Sequence, residues 1–335
     1  MSEENEAVVS RDINIQRGAE RVRSKLVLVL AVILTVMTAD PSGLGVGQAQ
    51  SLKVTLLGTG NPPPVMERFG PSTLVEAGAE KLVFDAGRGV LQRLFQLKIP
   101  LKEVRALFLT HLHSDHVVGI PDLWLTGWLV GRPEVPLRVW GPMGTKTLMA
   151  HLEQAYQFDI RIRLYDDRPP PQGVVVLAEE ITEGVVYEHN GVQVTAFEVD
   201  HSPIKPAFGY RIDYGGHSVV LSGDTRFSEN LIRFAQGVDV LVHEVIAAEL
   251  QRSRASDPER AERVIAHHTT PEQAGEVFTR VKPKLAVYSH IAPVVATAND
   301  LIPPTRQTYA GPLEVGEDLM VIDIGDTVTV HRGAR

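Results

Sequence analysis

From Ser51 onward, short apolar runs closed by glycine, aspartate or a polar turn recur along the chain and predict strands. The run Lys53-Val54-Thr55-Leu56-Leu57 stops at Gly58-Thr59-Gly60, and two more, Thr73-Leu74-Val75-Glu76 and Leu82-Val83-Phe84-Asp85, flank the turn Gly78-Ala79-Glu80. Leu91, Leu94, Phe95 and Ile99 then fall at helical spacing. Ala106-Leu107-Phe108-Leu109 predicts a strand, followed by a helix through Leu129, the strand Leu137-Arg138-Val139-Trp140 and a helix near Thr145 to Tyr156. Pro169-Pro170-Pro171 marks a surface loop, after which strand patterns return at 192–199, 208–214, 218–221 and 238–242. Thr270, Pro271 and Glu272 combine an N-cap, a first-turn proline and an early acid, so a helix opens there and runs to Val281. Strands at 285–288, 319–324 and 327–330 close the pattern. Strand-rich halves that each lead into helices predict an α/β fold with two sheets face to face and helices outside.

The first fifty residues stand apart. Arg17, Arg21, Arg23 and Lys25 precede an apolar run at 26–37, then Pro41-Ser42-Gly43, and Gly47-Gln48-Ala49 offers small residues for cleavage after Ala49. That is the order of a secretory signal. The run is shorter than the roughly 20 residues that span a bilayer, so no stable membrane span is expected. Glu3, Glu4, Glu6 and Asp12 ahead of it fit a start site placed too far upstream, or an uncleaved anchor. The chain therefore divides into residues 1–50, a signal peptide or N-terminal anchor, and residues 51–335, one α/β domain. Export to the periplasm or beyond is the expectation, with membrane anchoring through the N-terminal segment as the alternative.

Composition narrows the chemistry. A hydrophobic fraction of 44% with 22% charged residues is that of a folded, soluble protein. The formal net charge of −8 repels nucleic acid, although bound metals can invert the local potential and admit a small anionic substrate. With no cysteine, any metal site must use nitrogen and oxygen ligands, and no disulfide supports the fold.

The decisive motif is Thr110-His111-Leu112-His113-Ser114-Asp115-His116. A strand ending in a loop places His111 and His113 on one side of the backbone, and Asp115 and His116 turn back from the loop that opens the next helix. Four ligand-type side chains within six positions suit a pair of divalent metals, with imidazoles matched to zinc and the carboxylate serving as ligand or proton acceptor. His201, Asp224, the pair His243-Glu244, and His290 are each the first strong ligand after a buried strand pattern, so one sheet edge can collect them. His268, in Ala266-His267-His268-Thr269-Thr270, precedes a helix start, and the residues alone leave proton donor and helix cap both open; His267 reads as capping or surface. Trp124 and Trp128, four apart, share a helix face, with core or lid packing favoured over stacking on a substrate. Lys205 and Arg226 either meet a substrate oxyanion or are solvated.

Taken with Leu57-Gly58-Thr59-Gly60, Phe84-Asp85-Ala86-Gly87, Gly141-Pro142, Phe208-Gly209-Tyr210, Ser222-Gly223-Asp224-Thr225 and Val242-His243-Glu244, the motif resembles the metallo-β-lactamase fold superfamily. Within it the resemblance is to the branch of ribonuclease Z and the zinc arylsulfatases, from about Val54 to the C-terminus. It implies a four-layer αββα sandwich with the metal site at the edge of the two sheets, and a homodimer. It further implies two zinc ions per chain, with other divalent metals as alternatives. His111, His113 and His201 would hold the first, Asp115, His116 and His290 the second, and Asp224 would bridge them. A hydroxide shared by the metals would be the nucleophile, Asp115 a ligand within the catalytic set, and His268 with Glu244 the proton donor or oxyanion partner. The bridging Asp224 without a cysteine ligand departs from the β-lactam-hydrolysing members. The tRNA-processing members carry a long arm between the positions of His201 and Asp224, which here lie only 23 apart. Together with the net charge and the export signal, this points to an arm-less ester hydrolase acting on arylsulfates or small phosphodiesters, with nucleic acid disfavoured. The alternatives are a ribonuclease Z-like endoribonuclease or phosphodiesterase and, behind it, an iron-dependent oxidoreductase.

Overall fold

Strands that are apolar on both faces need cover on both faces, and this requirement organises the molecule. A computed structural model describes residues 51–333. Its first six strands are β1 (Leu52–Gly58), β2 (Ser72–Ala77), β3 (Glu80–Phe84), β4 (Val104–Phe108), β5 (Leu137–Gly141) and β6 (Val176–Glu180). Next come β7 (Gly184–His189), β8 (Val192–His201), β9 (Ile204–Tyr214), β10 (His217–Leu221), β11 (Val240–Ile246), β12 (Leu285–Ala292) and β13 (Leu313–Val315). The hairpin β14 (Val321–Ile324) and β15 (Val328–His331) follows. One sheet has eight strands in the order β15-β14-β1-β2-β3-β4-β5-β6, the other seven in the order β13-β12-β11-β10-β9-β8-β7.

The expected αββα arrangement is what the burial shows. On β11, Val240 and Val242 enter the core between the sheets, while Leu241 and Val245 face the helices of the second sheet. On β4, Ala106 and Phe108 point between the sheets and Leu107 points outward. Phe108 is stacked between Phe84 and Trp140, with centroids 4.9 and 4.8 Å away. Each such side chain contributes roughly 1.5–3 kcal/mol by leaving water. The first sheet is covered by α1 (Val90–Gln96), α3 (Ile120–Val130) and α4 (Thr145–Asp166), the short α2 (Ser114–Val117) lying at its edge. Over the second lie α5 (Glu229–Phe234), α8 (Pro271–Val281) and α9 (Ala298–Thr305), with α6 (Ala248–Arg254) and α7 (Pro258–Ile265) beside a small satellite cluster.

The topology places the site. Strands β3 to β6 run parallel, as do β10 to β13, so the segments leaving β4 and β10 and the far ends of β11 and β12 share one edge.

Several elements differ from what the sequence predicts. Helix α4 continues ten residues past Tyr156, because Ile160 and Leu164 carry its packing stripe onward. Strands β6 and β7 carry no prediction, although Val176-Leu177-Ala178 and Val185-Val186-Tyr187 are apolar; both are edge strands, largely exposed or half-buried. His243, Glu244 and His290 lie within β11 and β12 rather than after them. No helix among the described residues is long and apolar enough to cross a membrane. The export signal and cleavage point expected in residues 1–50 lie outside the described residues.

Candidate metal centre

The loop after β4 is shaped by a carboxylate to which the sequence reading gave no role. Asp85 directly follows β3 in the left-handed region, at φ 58°. Its Oδ1 accepts the Thr110 N–H and its Oδ2 the Thr110 hydroxyl, both at 2.8 Å, and Oδ2 also accepts Nδ1–H of His116 at 2.7 Å. Gly87 follows because a Cβ there would sit 2.4 Å from the Gly70 carbonyl carbon and 2.7 Å from the Asp115 carbonyl oxygen.

These bonds choose the ring tautomers. Thr110 Oγ1 gives its proton to Asp85, so toward His111 Nδ1, 3.0 Å away, it can only accept, and His111 Nε2 is left bare. His116 Nδ1–H is taken by Asp85, so the neutral ring presents a bare Nε2. His201 Nδ1–H donates to the carbonyl of His267 at 3.0 Å, with the same result. His267 therefore matters through its backbone. Orienting partners of this kind are what metal-binding imidazoles have.

These nitrogens and the remaining ligand-type atoms converge in two groups. His113 Nδ1 lies 2.9 Å from His111 Nε2 and 3.3 Å from His201 Nε2. Asp115 Oδ2 lies 3.6 Å from His116 Nε2 and 3.4 Å from His290 Nε2. Asp224 Oδ2 stands between the groups, 3.9 Å from His111 Nε2 and His201 Nε2, 3.4 Å from His116 Nε2 and 3.3 Å from His290 Nε2. Ligands about 2.0–2.1 Å from a tetrahedral ion are roughly 3.3 Å apart, so both groups have the spacing of a coordination shell. His116 Nε2 and Asp224 Oδ1 are buried with no hydrogen-bond partner, a costly arrangement that a cation would relieve. All seven residues read from the sequence as ligands thus meet at one point, and the cluster is able to bind metal.

The electrostatics agree. Burial holds the His111, His113 and His201 imidazoles below their ordinary range, which keeps them neutral as ligands must be. At His116 burial acts in the same direction, but the carboxylates of Asp224 and Asp85 outweigh it and raise its proton affinity well above the ordinary value. Burial opposes the charge of Asp224, and the imidazoles of His290 and His116 outweigh it, holding the carboxyl well below its usual range. The field at the centre therefore favours positive charge.

His290 reaches the centre through a bulge. In the parallel pairing of β11 and β12, Glu244 faces Ser289 and Val245 faces Ile291, so His290 is the extra residue, and its φ is 42°. Opposite it, Glu244 Oε2 accepts from His268 Nδ1 at 3.1 Å and Oε1 accepts the Thr269 N–H at 2.7 Å. His268 is partly buried, which disfavours its charge, yet Glu244 and Asp224 push its pKa up to about 9. Its ring also converges with Asp224 and His290.

Other candidates are structural. Trp124 and Trp128 are fully buried and donate their indole N–H groups to the carbonyls of Val174 and Pro170, so packing is their role. Arg226 braces the loop after β8, donating to the Ser202 carbonyl at 2.9 Å and lying 3.6 Å from Asp200. Lys205 is exposed on β9.

Residues 80–291 match the family described as the beta-lactamase superfamily domain. The chain belongs to the metallo-β-lactamase superfamily. It is a metal-dependent hydrolase of that fold. It is 37% identical over 281 residues to a protein named ribonuclease Z from Mycolicibacterium gilvum (strain PYR-GCK), a match covering 82% of this chain and 96% of that protein. A ribonuclease Z from Mycobacterium avium (strain 104) is 38% identical over 280 residues, covering 82% and 98%. The metallo-β-lactamase fold protein YhfI from Bacillus subtilis has a TM-score of 0.62 at 19% identity, covering 82% of this chain and 100% of that one. Human tRNase Z, short form, has a TM-score of 0.60 at 22% identity, covering 81% and 98%. These two structures speak for the fold.

The comparisons correct the expectation about substrate. Since 82% of 335 residues is about 275, an alignment of 281 leaves no space for an arm-sized insertion in the M. gilvum protein. The short link from His201 to Asp224 therefore does not separate this chain from proteins named ribonuclease Z. The case against nucleic acid loses its main support.

Proposed function

We propose that this protein is a ribonuclease Z-type phosphodiesterase that cuts RNA with two zinc ions. His111, His113 and His201 would hold one ion, Asp115, His116 and His290 the other, and Asp224 both. The observation that carries the reading is the position of Asp224 Oδ2, within 3.3–3.9 Å of imidazole nitrogens from both groups. When bound, the metals supply Lewis-acid activation of water and neutralise charge on the phosphate. The protein's own residues do the rest. Asp85, Thr110 and the His267 carbonyl fix the imidazoles in the tautomers that leave nitrogen lone pairs facing inward. Glu244 holds His268 by Nδ1, so the other face of the ring can give a proton to the departing oxygen of the diester. The fifty N-terminal residues belong to this proposal as an export or anchoring segment, which would place the enzyme outside the cytoplasm.

The test compares three substrates with the zinc-loaded protein: a structured precursor RNA, bis-nitrophenyl phosphate and nitrophenyl sulfate. Cleavage of the RNA and the diester, with the sulfate left nearly intact, is the expected result. Preference for the sulfate with no cut in the RNA overturns the proposal and restores the arylsulfatase reading.

A further inference from the structure

Between Ile265, where α7 ends, and Pro271, where α8 begins, no helix or strand fixes the chain, yet His268 lies in this segment. Individual bonds must therefore set its place. Ahead of it, the His267 carbonyl accepts Nδ1–H of His201 at 3.0 Å. Its own ring is held at Nδ1 by Glu244 Oε2, 3.1 Å away. Behind it, Thr269 is tied at every polar atom. The Thr269 N–H donates to Glu244 Oε1 at 2.7 Å, the carbonyl accepts the Ile246 N–H at 2.9 Å, and the hydroxyl donates to the Thr225 carbonyl at 2.7 Å.

Of these bonds, the one from the hydroxyl reaches the loop of Asp224. Thr225 directly follows that residue and, like Thr269, is fully buried. It lies outside any strand, so its carbonyl has no ladder to join, and a buried carbonyl needs a donor. Glu244 Oε1 links the same two residues a second time, accepting the Thr225 N–H at 3.4 Å beside that of Thr269. Capping does not explain the hydroxyl, because Thr270 is the N-cap of α8. Packing does not require it either, since valine fills the same space without a polar atom to satisfy. His268 is thus flanked on both sides, through His267 by a tie to the ligand-type His201, and through Thr269 by a tie to the neighbour of Asp224.

We infer that Thr269 is a positioning residue, whose hydroxyl bond to the Thr225 carbonyl ties the segment carrying His268 to the loop carrying Asp224 and so sets where the His268 ring stands relative to the metal centre. This rests on the reading of His268 as the proton donor. It assigns Thr269 no contact with substrate or metal.

The experiment compares wild type, Thr269→Val and Thr269→Ser, with His268→Ala as reference, in two measurements. The first is hydrogen exchange of the residue 269 amide, which reports local opening of the segment; the second is kcat and KM for phosphodiesters whose leaving groups differ in basicity. Thr269→Val keeps the shape and removes the donor, so exchange at 269 should rise by about 10-fold or more and kcat should fall by about 10-fold, with KM little changed. The kcat loss should be larger for poor leaving groups than for good ones, as in His268→Ala. Thr269→Ser keeps the donor and should recover most of both. Exchange and kcat in Thr269→Val indistinguishable from wild type overturn the inference. So does a serine variant as impaired as the valine one, or a kcat loss equal for all leaving groups. Should Thr269→Val fail to fold, Thr269→Cys, a weaker donor in the same space, takes its place under the same criteria. A His268→Ala variant with unaltered leaving-group dependence would instead refute the proton-donor reading, while exchange at 269 still tests the tie, so the two failures are distinguishable.

Discussion

Replacing Asp85 with asparagine should weaken metal binding without touching a metal ligand. The side chain keeps its shape, but one of its oxygens becomes a donor. If the amide nitrogen takes the Oδ1 position, it faces the Thr110 N–H across 2.8 Å, donor against donor. If it takes the Oδ2 position, it faces the Thr110 hydroxyl and His116 Nδ1 across 2.8 and 2.7 Å. His116 must then accept at Nδ1 and carry its proton on Nε2, the atom that points to the centre. Either way a buried charge-assisted bond is lost, worth about 1.5–3 kcal/mol. Expressed in metal affinity, this is the 10–100-fold, or about 1.4–2.7 kcal/mol, typical of lost orienting partners. The assay is competition for zinc between metal-stripped protein and a chromogenic chelator at fixed pH, for wild type and Asp85→Asn. Diester hydrolysis should fall at low zinc and return as zinc is raised. Superimposable zinc titrations of the two proteins would refute the argument that this carboxylate sets the His116 tautomer.

Asp224→Ala and His113→Ala should each lower hydrolysis by about 10²-fold or more while the fold survives, since several kcal/mol of charge stabilisation depend on the metals; near-normal turnover in either variant would sink the site. His268→Ala should cut kcat by about 10²–10⁴-fold with a smaller effect on KM, and more severely for poor leaving groups than for good ones; equal losses would remove its acid role. Glu80 joins the two sheets at their far rim, accepting from Tyr187, His189 and Asn190 at 2.8, 2.9 and 2.6 Å. Burial opposes its charge, but these three donors outweigh it and lower its pKa, so its stabilising contribution is present above the unfolded value of about 4.3 and is lost as pH falls through the folded one. Melting temperature below about pH 4 should therefore fall more steeply in wild type than in Glu80→Gln, and parallel curves would count against the clamp. Residues 1–50 fused to a reporter that is active only outside the cytoplasm should give a signal, and an inactive, cytoplasmic fusion would remove export from the account.

The fold was legible wherever local pattern and tertiary need coincide. Central strands such as β4 and β11 are buried on both faces and so read as apolar runs, and α8 announces itself through the N-cap Thr270, the first-turn Pro271 and the early acid Glu272. Edge strands β6 and β7 have only short apolar stretches, Val176-Leu177-Ala178 and Val185-Val186-Tyr187, each ending in charged or polar residues, and these stood too close to the Pro-rich loop to be read as strands. Helical periodicity in Trp124 and Trp128 left packing and ligand stacking both open until their indole bonds to Val174 and Pro170 were seen.

The sequence by itself determined which chemistry is available. Seven histidines and aspartates, without cysteine, limit a metal site to nitrogen and oxygen ligands, because ligand type is a property of each residue alone. Only the tertiary structure decided how those groups are used. Asp115 and His290 are separated by 175 positions and meet at 3.4 Å. The tautomers of His116 and His201 depend on Asp85 and on the His267 carbonyl, and the aim of His290 on a register shift between two strands. These are relations between distant atoms, set by sheet pairing and burial, and no single stretch of chain contains them.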